Sequence, residues 1–480
     1  MKSFSFLLII LICLNRNVNC EDIWSTLKTK FSAFMSSVTN TFNDIYGRVK
    51  KAFILEPYVI SQARFTTPQK LEEKNYRQTF HDFIETIRTT TEAQSSEYIR
   101  MGSEPTALMS TSQLASHHGR KVESHVIETK DGYLLTIHRV LNSWPPIKSK
   151  FTNETVLLHH GLLGSSADWL LLGPEKSLPY ILSDAGYDVW MANSRGNCYS
   201  RDHVSKVTQT SKTYWKFTWQ EIGEYDLPAV IDYVRNIKNS TEKINFVGHS
   251  MGATALLVLL STHPRYNQYL RIGILLAPLV FMTNIKGPFD VISNMSTDPP
   301  DHLLRTIGTG EFIPSRKVPK SIASKFCKGP RIYCNNPLLF LTGWKDKIVT
   351  DDPSFISRLL YHVPAGGSTN TILHYGQIVK NGKFHRFGKN SSEFPLHQAT
   401  LPIVLFSSDA DWLATVPNVL RLYLSISNPI DIYVIRNQNF SHTEFVWGTD
   451  ANVYVFPKLL DYLENGLNVT LVKENEISTD

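Results

Sequence analysis

Near its middle the chain reads Ile244-Asn245-Phe246-Val247-Gly248-His249-Ser250-Met251-Gly252, and an apolar run from Ala253 to Val258 follows directly. This order predicts a buried strand, a Gly-x-Ser-x-Gly turn and a helix. The two glycines remove Cβ atoms where the chain turns most sharply, so Ser250 is expected to protrude in a strained conformation with the helix N-terminus behind it. Ser250 is therefore a candidate nucleophile. The alternative is an ordinary strand-to-helix turn with an exposed serine.

Short apolar strands alternate with helical segments on both sides of this turn. The pair Asp131-Gly132 predicts a hairpin over residues 124–137. Further strands are predicted at 155–158, 188–191, 244–247, 272–276, 403–406 and 432–435. The alternation is typical of an α/β fold in which helices wrap a mostly parallel central sheet. It is interrupted from about 281 to 400, where we expect an inserted, mainly helical cap between two core segments, 109–280 and 401–480.

A serine hydroxyl is a weak nucleophile at neutral pH, so it needs a base, and the base needs a carboxylate to orient it. Asp411 lies just after the strand predicted at 403–406, where it would stand at the active edge of the sheet. His442 is the only histidine beyond Asp411 and is therefore the candidate base. Asp409 is a minor rival for the acid. His249 is expected only to pack beside the turn.

Backbone donors for an oxyanion are expected at two places. The strand at 155–158 runs into His159-His160-Gly161-Leu162, where the flexible Gly161 would let the N–H of Leu162 point at a substrate oxygen. The N–H of Met251 would be the second donor. His159 and His160 could suggest a metal, but adjacent residues on a strand are expected to face opposite ways. No metal-binding motif occurs, and no cofactor is implied.

The N-terminus carries a different signal. Lys2 precedes the apolar run Phe6 to Leu14, which is much shorter than the roughly 20 residues of a spanning helix. We interpret residues 1–20 as a cleaved signal peptide, which implies a secreted or lysosomal protein with no transmembrane segment. Residues 21–108 form a predicted amphipathic helical extension, either a packing segment or propeptide, or an arm that binds lipid or a partner.

Two residue types agree with passage through the secretory pathway. Cys327 and Cys334 are close enough in sequence to favour a disulfide in an oxidising compartment, which leaves Cys198 as the odd cysteine. Six N-glycosylation sequons begin at Asn153, Asn239, Asn294, Asn390, Asn439 and Asn468.

The 49 basic and 43 acidic residues nearly cancel and form no basic block, so nucleic acid is not an expected partner.

Over residues 109–465 the chain resembles the acid lipase family of α/β-hydrolases, which includes gastric, lysosomal and insect lipases. The matching runs include His160-Gly161-Leu162-Leu163, Asn193-Ser194-Arg195-Gly196-Asn197, the turn around Ser250, Asp411-Trp412-Leu413-Ala414 and Phe445-Val446-Trp447-Gly448. The resemblance implies an α/β-hydrolase fold. It also implies a triad of Ser250, Asp411 and His442, and a cap disulfide between Cys327 and Cys334.

The resemblance further implies hydrolysis of a neutral lipid ester, triacylglycerol or cholesteryl ester, at a lipid–water interface. The chain departs from the family at Met251, where Gln is usual, and at Thr415, where Asp is usual. Neither position supplies triad chemistry, so both bear on substrate fit. Two other functions stay open: a carboxylesterase that acts on soluble esters, and a catalytically silent lipid-binding protein on the same fold.

Overall fold

In a computed structural model, the strands of the described residues assemble into one sheet. The structure describes residues 105–141, 154–285 except 206, 208, 239 and 240, 309–312 and 353–465, together with positions 293, 296, 299 and 304. The predicted signal peptide, nearly all of the 21–108 extension and residues 313–352 of the predicted cap lie outside these ranges.

Among the described residues the sheet has nine strands: β1 Lys121–Glu128, β2 Tyr133–Leu141, β3 Thr155–His159, β4 Asp188–Met191, β5 Asp202–His203, β6 Ile244–His249, β7 Leu270–Leu276, β8 Ile403–Ser408 and β9 Pro429–Ile435. Their order in the sheet is β1-β2-β4-β3-β6-β7-β8-β9, with the short β5 paired to β2. β1, β2 and β5 run antiparallel to their neighbours, whereas every pair from β4 to β9 along this order is parallel.

Helices cover the faces of the sheet. All residues of β3, β4, β6 and β8 are buried, as expected for parallel strands that are covered on both sides. The helices are α1 Thr111–His117, α2 Leu178–Asp184, α3 Trp219–Glu221, α4 Leu227–Lys238, α5 Met251–Thr262, α6 Pro353–His362, α7 Thr369–Asn381, α8 Val416–Tyr423, α9 Glu444–Trp447, α10 Ala451–Tyr454 and α11 Phe456–Asn465. Short 3₁₀ turns lie at Pro105–Leu108, Ser166–Leu170, Pro264–Gln268 and Leu396–Gln398, and a π-helical turn at Ile222–Asp226 joins α3 to α4.

Local sequence explains several of these boundaries. Ser110 caps α1 through a reciprocal capping box with Gln113, and Thr218 caps α3 in the same way with Glu221. Gly132 has φ +92° in the turn between β1 and β2, a conformation that glycine adopts at no steric cost. The turn chemistry thus fixes the hairpin, as the sequence predicts.

The α/β class and the mostly parallel sheet are confirmed. Each predicted strand is present, and most are a few residues longer than the apolar pattern indicates. β5 was not predicted, because two residues carry no periodic pattern. Between β7 and β8 the structure describes two helices, α6 and α7, in the interval where a cap is expected. Within the described residues, every helix is too short or too polar to cross a bilayer.

Candidate active site

The predicted Gly-x-Ser-x-Gly turn, the elbow that carries Ser250, is a sharp turn between β6 and α5. Ser250 has φ +53° and ψ −111°, a strained backbone conformation for a residue with a side chain. The neighbouring glycines are required sterically: a Cβ on Gly248 would lie 2.8 Å from the nitrogen of Ala253, and one on Gly252 would lie 2.5 Å from the carbonyl oxygen of His159. Packing around the turn therefore selects glycine on both sides of the serine.

Three residues that are far apart in sequence meet at this turn. Oγ of Ser250 lies 2.9 Å from Nε2 of His442, and Nδ1 of His442 lies 2.8 Å from Oδ2 of Asp411. Asp411 follows the end of β8, and His442 lies in the loop before α9. All three residues are at most 3% exposed, so water competes little for these hydrogen bonds.

The carboxylate of Asp411 is held by its own loop. Its Oδ1 accepts hydrogen bonds from the N–H groups of Leu413, at 2.8 Å, and Ala414, at 2.9 Å, which leaves Oδ2 for His442. Asp409, the rival acid, is exposed. The geometry thus favours Asp411 over Asp409 as the partner of the histidine.

Two backbone N–H groups border Ser250. Met251 is the first residue of α5, so its N–H has no acceptor within the helix. Leu162 follows Gly161, where an added Cβ would lie 2.8 Å from Nδ1 of His249, so only glycine fits this approach. Among the described residues, neither the N–H of Leu162 nor that of Met251 has an acceptor. Both donors are available to a ligand.

His249 does more than pack beside the turn. Its Nε2 lies 2.9 Å from the carbonyl oxygen of His442, and because a carbonyl can only accept, Nε2 carries the proton. Burial, with a smaller effect from the nearby His442, lowers the pKa of His249 to about 3. The sequence carried no signal for this contact, because the partner atom is a backbone carbonyl 193 residues away.

The side chains of His159 and His160 also depart from expectation. Instead of facing opposite ways, their rings stack with centroids 5.0 Å apart and an interplanar angle of 25°. The reason is that β3 ends at His159, so the alternation of a strand no longer applies to His160. Both rings turn toward Ser194: Nε2 of His159 lies 3.3 Å from its Oγ, and Nε2 of His160 accepts its N–H.

A cavity of about 80 Å³ opens beside Ser250 and His442. Its wall is mainly apolar, as a site for an acyl chain would require. The segment between β7 and β8 contributes Leu279, Phe312, Val363 and Ile372 to this wall. The other apolar contributors are Leu162, Leu163, Trp169, Leu413, Val446 and Trp447.

The remaining predicted sites are only partly described. Asn390 and Asn439 are exposed in turns, where a glycan could be attached. Cys198 is exposed, and its N–H donates to the carbonyl oxygen of Ala365 at 2.8 Å. Cys327, Cys334, Asn153, Asn239, Asn294 and Asn468 lie outside the described residues.

Comparisons with known proteins agree with this architecture. A model of the partial α/β-hydrolase lipase region matches residues 111–173, and a model of the α/β hydrolase fold matches residues 154–302. Lipase 3 of Drosophila melanogaster is 35% identical over 72% of this chain and 91% of its own length. Gastric triacylglycerol lipase of Bos taurus is 32% identical, over 76% of this chain and 93% of its own. Human lysosomal acid lipase/cholesteryl ester hydrolase is 30% identical, over 75% of this chain and 92% of its own. The chain therefore belongs to the acid lipase family of α/β-hydrolases and is a carboxylic ester hydrolase.

Proposed function

We propose that this protein is a lipase that hydrolyses neutral lipid esters, triacylglycerol or cholesteryl ester, through an acyl-enzyme on Ser250. The observation that carries the proposal is the pair of hydrogen bonds that links Ser250 to His442 and His442 to Asp411. The names of two relatives, gastric triacylglycerol lipase and lysosomal acid lipase/cholesteryl ester hydrolase, support the substrate class. The apolar wall of the cavity supports it independently, since it suits an acyl chain.

Each member of the triad has its own task in the proposed reaction. Nδ1 of His442 donates to Asp411, so Nε2 is unprotonated and can accept the proton of Ser250 as Oγ attacks the acyl carbonyl. Asp411 fixes the ring and stabilises the imidazolium that forms. The N–H groups of Leu162 and Met251 donate hydrogen bonds to the carbonyl oxygen and so stabilise the negative charge that develops on it.

The second half of the reaction uses the same groups. The imidazolium of His442 returns its proton to the departing alcohol as the bond from acyl carbon to alkoxy oxygen breaks. A water molecule then loses a proton to His442 and attacks the acyl carbon. The bond from the acyl carbon to Oγ breaks, His442 returns the proton to Oγ, and the fatty acid leaves, which restores Ser250. The ester and this one water molecule are the only reactants that the two steps consume.

We also propose that the protein enters the secretory pathway through residues 1–20 and reaches the exterior or the lysosome. The apolar N-terminal run, the sequons and the names of the gastric and lysosomal relatives support this address. The site of action would be the surface of aggregated lipid.

The proposal is tested with purified protein and three substrates: emulsified triolein, emulsified cholesteryl oleate and a short soluble ester. We expect the protein to hydrolyse at least one of the two emulsions. Ser250→Ala and His442→Ala should each abolish that hydrolysis in folded protein. Hydrolysis of the soluble ester alone would replace the lipase with a carboxylesterase. Binding of lipid without hydrolysis of any of the three would indicate a catalytically silent lipid-binding protein.

A further inference from the structure

The ring of His160 is hydrogen-bonded at both nitrogens, and one of these bonds reaches the loop that carries Leu162. Nε2 of His160 accepts the N–H of Ser194 at 3.1 Å. The neutral ring therefore carries its proton on Nδ1, which lies 2.7 Å from the carbonyl oxygen of Gly161. A buried imidazole thus spans the distance from one loop to the other.

The carbonyl of Gly161 and the N–H of Leu162 belong to the same peptide group. Because that group is planar and trans, fixing the direction of the carbonyl fixes the N–H in the opposite direction. Gly161 itself has little intrinsic preference for one backbone orientation, so an outside contact must select it. The N–H of Gly164 also reaches the Gly161 carbonyl, at 3.2 Å, but this is the longer of the two contacts.

The other end of the ring rests on a rigid loop. Ser194 is followed by Arg195, whose buried guanidinium donates from Nε to Asp226 at 2.7 Å and from Nη2 to Asp131 at 2.9 Å. Buried and doubly paired, this guanidinium holds the loop in place. Nδ2 of Asn197 also lies 3.3 Å from Nε2 of His160.

We propose that His160 is a positioning residue that aims the N–H of Leu162 at the oxyanion by holding the carbonyl of Gly161. The inference rests on the proposed function, since it concerns the same ester site. The position is suited to acidic conditions as well: burial, with a smaller effect from His159, lowers the pKa of His160 to about 3, so the ring stays neutral and keeps Nε2 as an acceptor.

Two substitutions separate the two ends of the ring. In His160→Asn the amide N–H₂ takes the place of Nδ1, so it can still donate to Gly161. In His160→Gln the longer amide reaches the place of Nε2, where its oxygen can accept from Ser194 while the donor to Gly161 is lost. Both variants remove the imidazole and leave a polar side chain, so they form a matched pair.

The measurement is the rate at which diethyl p-nitrophenyl phosphate phosphorylates Ser250, followed by release of p-nitrophenol. In this step Oγ bonds to phosphorus, the bond to the nitrophenoxy oxygen breaks and the proton passes to His442, while the phosphoryl oxygen occupies the oxyanion position. We expect His160→Gln to slow the reaction about 10- to 100-fold and His160→Asn to slow it less than threefold. In other enzymes, complete removal of an oxyanion donor lowers kcat about 100- to 1000-fold.

A second readout is kcat and KM on a soluble p-nitrophenyl ester. The kcat is calculated per active site, with the number of sites taken from the amount of p-nitrophenol that the phosphorylation releases. The positioning role predicts a loss in kcat for His160→Gln with KM within twofold of wild type. Equal losses in the two variants, or wild-type rates per site in His160→Gln, would overturn the inference. Failure to hydrolyse emulsified lipid would overturn the proposed function instead, because phosphorylation of Ser250 does not depend on lipid turnover.

Discussion

His249, the residue immediately before the proposed nucleophile, donates from Nε2 to the backbone carbonyl of His442 at 2.9 Å. The same ring packs against Gly161, where a Cβ would approach Nδ1 to 2.8 Å. One buried side chain therefore contacts the segments that carry the proposed base and the proposed oxyanion donor. Its position in the elbow couples the placement of all three parts of the site.

This contact predicts a graded effect of substitution at His249. His249→Phe keeps a planar ring but removes the N–H, so the carbonyl of His442 loses its partner, and we expect kcat to fall about 10-fold. His249→Gln places an amide N–H near the position of Nε2 and should stay within threefold of wild type. Steady-state kinetics on a soluble p-nitrophenyl ester measure both. Equal rates for the two variants would show that the hydrogen bond has no effect on turnover.

Asp411 and Asp409 provide a matched test of the acid. Asp411→Asn keeps the shape of the side chain but presents an amide to the ring, which favours the wrong tautomer of His442, so we expect kcat to fall about 10³- to 10⁴-fold. Asp409→Asn alters an exposed residue two positions away and should change kcat less than twofold. The opposite ranking would assign the acid to Asp409.

The sequence was sufficient to predict the fold because buried strands have a simple pattern. The segment Asp188–Met191 was predicted with both ends correct, and the positions of Ser250, Asp411 and His442 follow from the order of elements along the chain. Such features depend on local sequence: an apolar run, a glycine turn, a single histidine after the last candidate acid.

The contacts of His160 and His249 could not be predicted in the same way. Each depends on a backbone atom brought close by tertiary folding, Ser194 for His160 and His442 for His249. A backbone atom is present at every residue, so the sequence does not mark which one a side chain will meet. The same applies to the cavity wall, where Phe312 and Ile372 line the same cavity as Trp447, more than 70 positions away in sequence.

Glu444 predicts a specific dependence of stability on pH. Its Oε2 accepts the N–H of Ser441 at 2.8 Å, and burial raises the pKa of the carboxyl to about 7 from 4.5. Between these pH values the folded protein keeps a proton that the unfolded chain releases. The contribution of Glu444 to the free energy of unfolding is therefore present in full below about pH 4.5 and is lost as the pH rises through 7. The slope is at most about 1.4 kcal/mol per pH unit.

Glu444→Gln removes this titration while keeping an oxygen acceptor for Ser441. The difference in Tm, wild type minus variant, should therefore be smaller at pH 8 than at pH 5, as measured by thermal unfolding at both pH values. Glu128→Gln, at an exposed position of the edge strand β1, is the control and should keep a constant difference from wild type. A constant Tm difference for Glu444→Gln as well would contradict the raised pKa.

The segment between β7 and β8 predicts activation by a lipid surface. Phe312, Val363 and Ile372 line the cavity next to Ser250, so movement of this segment would expose apolar side chains. Exposing these side chains costs free energy in water but little at a lipid surface, where they are buried against acyl chains. A lipid surface should therefore favour the open state, in which the segment has moved away from the cavity. We therefore expect the rate on tributyrin to rise steeply once its concentration exceeds the solubility limit.

Triacetin, which stays dissolved over the same range, is the control for this measurement and should give simple saturation. Acceleration only with tributyrin would show that the aggregated surface, rather than the ester concentration, increases turnover. Smooth saturation of the tributyrin rate, with no increase beyond the solubility limit, would mean that the segment shapes the pocket without gating it. That outcome would favour a carboxylesterase that takes its substrate from solution.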